Sequence, residues 1–149
     1  MSGSMDGSFE TMFPSIVEWV DDHYRTKAKR AYRAIAGLSM GGFHSMQISK
    51  EYPDMFNYVG LFSAAIFRGK ENIATYADLD AKLARQFKQG MELYWIAIGK
   101  DDFLYDENVR YRDLLDKAGY PYTYRESDGG HIWRNWRIYL GEFAQMLFK

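Results

Sequence analysis

Residues 37–42 read Gly37-Leu38-Ser39-Met40-Gly41-Gly42, and no other stretch limits the fold as tightly. The pattern G-x-S-x-G places a serine on a sharp turn between a β-strand and an α-helix. The chain must reverse within a few atoms, so the residues beside the serine are expected to need glycine's missing side chain. The flanks supply both elements. Ala31-Tyr32-Arg33-Ala34-Ile35-Ala36 reads as a short buried strand, and Phe43 to Lys50 has helical character that stops before Pro53.

The rest of the chain repeats this alternation. Residues 13–24 predict a helix, with Pro14 near its first turn and Ile16, Val17, Val20 and Tyr24 at helical spacing. A basic linker, Arg25 to Arg30, leads into the first strand. A second strand is expected over 57–63, an irregular stretch over 64–75, and a helix over 76–88 through Leu79, Leu83 and Phe87. A third strand, Leu93 to Ile98, ends at Gly99. A helix over 106–118 closes at Gly119, and residues 121–126 make a fourth strand. A last helix, Trp133 to Phe148, places Trp136, Leu140, Phe143 and Leu147 on one face. Apolar strands alternating with helices predict a parallel sheet with helices on both faces. The 149 residues read as one α/β domain, with residues 1–5 as an expression leader.

Composition narrows the function classes. A net charge of -1, with neither a basic run nor a glycine-rich phosphate loop, argues against nucleic acid and anionic membrane as partners. No stretch approaches the roughly 18 apolar residues of a membrane span. The absence of cysteine excludes disulfides, thiolate metal sites and cysteine nucleophiles. It suits any compartment, so localisation stays open.

A serine hydroxyl is a poor nucleophile near neutral pH and needs a base, itself oriented by a carboxylate. Three histidines are available. His23 sits in the first helix and His44 on the helix leading away from Ser39, so neither suits the role. His131 follows Ser127-Asp128-Gly129-Gly130, beyond the carboxyl end of the last strand, where open α/β sheets place ligands and chemistry. The orienting acid is expected after the third strand, where Asp101 and Asp102 both stand; Asp106 and Asp128 are further alternatives. The chain order serine, aspartate, histidine is the order of this motif's fold class.

From about residue 8 to residue 148 the chain resembles the α/β-hydrolase serine esterases of the esterase D and feruloyl or acetylxylan esterase type (carbohydrate esterase family 1). The resemblance rests on Arg33 to Gly42, on Asp102-Phe103-Leu104-Tyr105, and on Gly129-Gly130-His131-Ile132-Trp133 with Trp136-Arg137. One departure is Ile132, where such enzymes often carry an acidic residue. The resemblance implies carboxylic-ester hydrolysis with Ser39 as nucleophile, His131 as base and Asp102 as its orienter. Short acyl, acetyl or feruloyl esters, free or on plant polysaccharide, would be the substrates. Met40 N–H, next after the nucleophile, would bind the oxyanion. Tyr105, Trp133 and Trp136 would wall the acyl or aryl pocket. No metal or other cofactor is implied.

The family's fold has about eight strands, and the four expected here match its second half. The early loop that gives the second oxyanion donor is not among them. The strand before Ser39 would then keep an open edge, so a homodimer or higher homo-oligomer is expected. Two alternatives to hydrolysis follow: an impaired hydrolase piece acting as an oligomeric or carbohydrate-binding module, or acyl transfer to an acceptor other than water.

Overall fold

The computed structural model describes residues 5–68 and 74–149. Of the expected leader only Met5 is among them. Four parallel strands, β1 (Ala34–Leu38), β2 (Tyr58–Phe62), β3 (Leu93–Gly99) and β4 (Thr123–Ser127), form a sheet in the order β1-β2-β3-β4. Helices α2 (Met40–Glu51), α3 (Leu79–Lys88) and α4 (Tyr105–Ala118) lie in the connections. Helix α1 (Ser8–His23) precedes β1 and packs on α2, and α5 (Trp133–Ala144) follows β4. This is the expected α/β-hydrolase-like arrangement.

Alternate strand residues feed two cores, as the pleat requires. Val59, Leu61, Tyr94 and Ile96 bury against Phe43 and Met46 of α2, Leu83 of α3, and Tyr111 and Leu115 of α4. Tyr58, Phe62, Trp95 and Ala97 point the other way and bury against Trp136, Tyr139 and Phe143 of α5. Burial of each large side chain contributes roughly 1.5–3 kcal/mol, so both layers hold the sheet in place. β1 pairs with β2 on one side only, and among the described residues nothing pairs with its outer edge.

Three local expectations are corrected. Helix α1 begins at Ser8, so Pro14 lies inside it rather than near its first turn. The Asp6 carboxylate accepts the Ser8 N–H at 2.9 Å, and Glu10 is buried against His44. These contacts extend the helix N-terminally and outweigh the backbone bond that Pro14 cannot donate. At the first strand, Ala31 and Tyr32 belong to a 3₁₀ turn, Arg30–Tyr32. The Arg30 guanidinium is tied to the carbonyls of Pro53 and Gly90, which moves the strand forward until it abuts Ser39. On α5 the buried stripe is Trp136, Tyr139 and Phe143, whereas Leu140 is exposed. Leu140 lines a groove with Ala36, Gly37 and Leu38 of β1, where no layer among the described residues covers it.

Candidate active site

Ser39 occupies the N-cap of α2 with φ 55° and ψ -118°, backbone angles that an L-residue holds only where neighbours enforce them. Its N–H donates to the Phe62 carbonyl at 2.9 Å, and its own carbonyl accepts from Gly42, Phe43 and Ala65. A Cβ on Gly37 would lie 2.2 Å from the Gly41 carbonyl oxygen, and one on Gly42 would lie 2.7 Å from the Ala64 Cβ. Among the described residues, nothing beyond its own helix backbone and chain neighbours lies within 4 Å of such an atom on Gly41. The steric need therefore falls on Gly37 and Gly42, not on the second glycine of the motif as expected.

His131 and Asp102 are brought together by loop packing at the carboxyl ends of β3 and β4. Lys100 N–H donates to Ser127 O at 2.8 Å and Asp101 N–H to Gly129 O at 3.1 Å. The Asn135 amide donates to the Asp128 and Gly130 carbonyls at 3.0 and 3.1 Å, fixing the loop just ahead of His131. Asp102 is buried. Its Oδ1 accepts the Leu104 N–H at 2.9 Å, and its Oδ2 lies 2.9 Å from His131 Nδ1. The other ring nitrogen, His131 Nε2, lies 2.9 Å from Ser39 Oγ. Serine, imidazole and carboxylate thus form one hydrogen-bonded line across three strand ends.

The competing residues lie elsewhere. Asp101 and Asp106 are exposed, and Asp128 is exposed beside Lys100. The His23 ring stacks on Trp19 in α1 and meets that residue's carbonyl. His44 is buried with Glu10. Met40 opens α2, whose first turn carries no acidic side chain, so the positive end of the helix dipole lies next to Ser39.

Aromatic rings enclose the imidazole. Phe103 and Trp136 each stand 4.7 Å from His131, centroid to centroid, and Trp133 packs on Trp136 at 5.3 Å. A groove of about 230 Å³ runs beside the elbow, lined by Leu38, Phe62, Trp133, Trp136, Arg137 and Leu140. Tyr105 does not line it. Its hydroxyl donates to Glu126 Oε2 at 2.7 Å, as does that of Tyr124 at 2.7 Å. These two hydroxyls, Tyr124 first, hold the Glu126 carboxyl below its usual range. Sequence reasoning gave Phe103 no role, although its place directly after Asp102 was the available signal. Among the described residues no cluster of three or more His, Asp or Glu side chains is arranged to hold a metal ion, and no helix is long and apolar enough to cross a membrane.

The model of the Esterase family, described as "Putative esterase", matches residues 13–147. The chain belongs to that family. Among curated relatives, the endo-1,4-beta-xylanase/feruloyl esterase of Xylanibacter ruminicola is 29% identical over 142 residues, covering 94% of this chain and 18% of its own length. The acetyl esterase of Caldicellulosiruptor saccharolyticus is 25% identical, covering 90% of this chain and 61% of its own. This esterase-family chain thus spans about three-fifths of one relative and under a fifth of the other. Of solved structures, a ferulic acid esterase aligns with TM-score 0.74 and 27% identity, over 93% of this chain and 60% of that one. The serine hydrolase FphF of Staphylococcus aureus, at 22% identity and TM-score 0.78, covers 95% of this chain and 64% of its own, and shares the fold.

Proposed function

We propose that this chain is a serine carboxylesterase working through an acyl-enzyme. The observation that carries the reading is the line Ser39 Oγ–His131 Nε2–His131 Nδ1–Asp102 Oδ2, with both links at 2.9 Å. Ser39 Oγ attacks the ester carbonyl while His131 Nε2 takes its proton, and the Nδ1–H keeps its bond to Asp102. The carbonyl oxygen becomes an oxyanion beside Met40 N–H, where the α2 terminus favours negative charge. Collapse expels the alcohol, which takes the proton from His131. Water, deprotonated by the same nitrogen, then attacks the acyl-serine, and collapse releases the acid as Ser39 Oγ takes the proton back from His131. Every proton move uses one nitrogen.

Trp133 and Trp136 form the apolar wall for the acyl or aryl part. The names of the relatives support acetyl or feruloyl esters, including those on plant polysaccharide, as the substrate class. A second copy of the chain is the proposed partner at the open β1 edge. The apolar groove on the α5 face and the one between α1 and β1, lined by Phe13, Val17, Ile35 and Phe56, leave both sides of that edge uncovered. A stable monomer in light scattering at micromolar concentration would rule the dimer out.

The test of function is hydrolysis of p-nitrophenyl acetate and butyrate beside Ser39→Ala and His131→Ala. Activity should fall to background in both variants. A wild-type rate no higher than that of Ser39→Ala would sink the reading. Product analysis with an added alcohol separates hydrolysis from acyl transfer.

A further inference from the structure

Ser63 is fully buried directly after β2 and holds φ 47°, a left-handed conformation that costs a non-glycine residue of order 1–3 kcal/mol. Four neighbours enforce it. Ser63 N–H donates to Ala97 O of β3 at 2.8 Å, and Ala65 N–H donates to Ser39 O at 2.9 Å. The Asn108 amide of α4 donates to Ala64 O at 2.9 Å. The Ser63 hydroxyl oxygen accepts the indole N–H of Trp136, at 3.1 Å. Residues 63–65 therefore join the elbow, β3, α4 and α5 at one point.

Trp136 is the ring that stands against His131 at 4.7 Å with an interplanar angle of 86°. A buried indole N–H requires an acceptor, and Ser63 is the acceptor it has. The hydrogen bond fixes the indole, and the indole limits where the imidazole can rotate between Ser39 and Asp102. We propose that Ser63 is a positioning residue for the hydrolase reaction, acting through Trp136 to hold His131 in line. This inference rests on the esterase reading for its kinetic consequence, but its geometry stands without it.

Four variants test it: Ser63→Gly, Ser63→Ala, Trp136→Phe and the double variant Ser63→Ala/Trp136→Phe. Glycine adopts φ 47° without strain, so Ser63→Gly removes the hydroxyl while leaving the fold at least as relaxed. Loss of alignment should lower kcat about 10- to 100-fold in each single variant, with KM little changed in Ser63→Gly and Ser63→Ala, whose side chain does not line the groove. The double variant should be no worse than the poorer single one, since both changes break the same link. Full kcat in Ser63→Gly, or effects that multiply in the double variant, would overturn the proposal. The NMR chemical shifts of the protons on the His131 ring, which lies 4.7 Å from the Trp136 indole, centroid to centroid, read the same link without turnover. Unchanged shifts in Ser63→Gly overturn the positioning role. Changed shifts in a protein whose wild type hydrolyses nothing support the role and refute the esterase reading instead.

Discussion

A Cβ placed on Gly99 would lie 2.1 Å from the carbonyl oxygen of Gly129. The end of β3 and the loop after β4 are thus in backbone contact, and this contact sets the separation of Asp102 from His131. Gly99→Ala should push the two loops apart, costing about 1–3 kcal/mol of stability. Its kcat should fall about 100-fold, because displacement of a catalytic group by an ångström is enough for that. Melting curves and steady-state rates together check it; a stable, fully active Gly99→Ala would show that the loops are not set by this contact.

The two adjacent aspartates separate cleanly. Asp102→Asn should keep the fold but lower kcat by about 10⁴-fold, by holding His131 in the wrong tautomer. Asp101→Asn, at an exposed carboxylate, should leave kcat near the wild-type value. Equal losses in both would remove Asp102 from its assigned role.

At the elbow the glycines should part company. Gly37→Ala meets the Gly41 carbonyl at 2.2 Å and should lose several kcal/mol, or fail to fold. Gly41→Ala meets nothing within 4 Å and lies in the first turn of α2, where alanine is the better helix former by roughly 0.5–1 kcal/mol. Urea denaturation compares the two, and a destabilised Gly41→Ala would contradict the open space seen there.

Lys50 makes stability depend on alkaline pH. It is fully buried on α2, donates to Thr75 O at 2.8 Å, and burial pushes its ammonium down to about 8 from the ordinary 10.5. Between those values the unfolded chain binds the extra proton, so stability should rise with pH across the window. Burial raises the Tyr76 hydroxyl to about 12, and the Tyr94 and Tyr111 hydroxyls also lie above 10.0. Above pH 10 the unfolded chain sheds these protons first, and stability should fall. Melting temperature should peak near pH 10 in wild type, and the rising limb should flatten in Lys50→Met. A rising limb unchanged in that variant would show that another group supplies it.

The strand ends and the loop geometry around Ser39, Asp102 and His131 were legible because turns demand particular residues close together in sequence. Gly37 to Gly42 and Gly129-Gly130-His131 each state their backbone locally. What stayed hidden depends on distant partners. Pro14 reads as a helix start until Glu10 is known to bury against His44, 34 positions away. Ala31 and Tyr32 read as strand until Arg30 is seen bound to Gly90 O. Leu140 shares a helical period with Trp136 and Phe143, yet periodicity does not say where a covering layer ends. The bond from Trp136 to Ser63 spans 73 positions and belongs to no local pattern.

The order of the strands has a consequence for how activity is acquired during folding. Ser39, Asp102 and His131 follow β1, β3 and β4, and the serine and the imidazole it touches are 92 positions apart. Loop closure over such a separation is slow compared with formation of the helices. A refolding chain should therefore recover its helical circular dichroism signal well before it turns over substrate. On the esterase reading proposed above, catalysis should be the last property to return, with a lag that follows the pairing of β4 with β3.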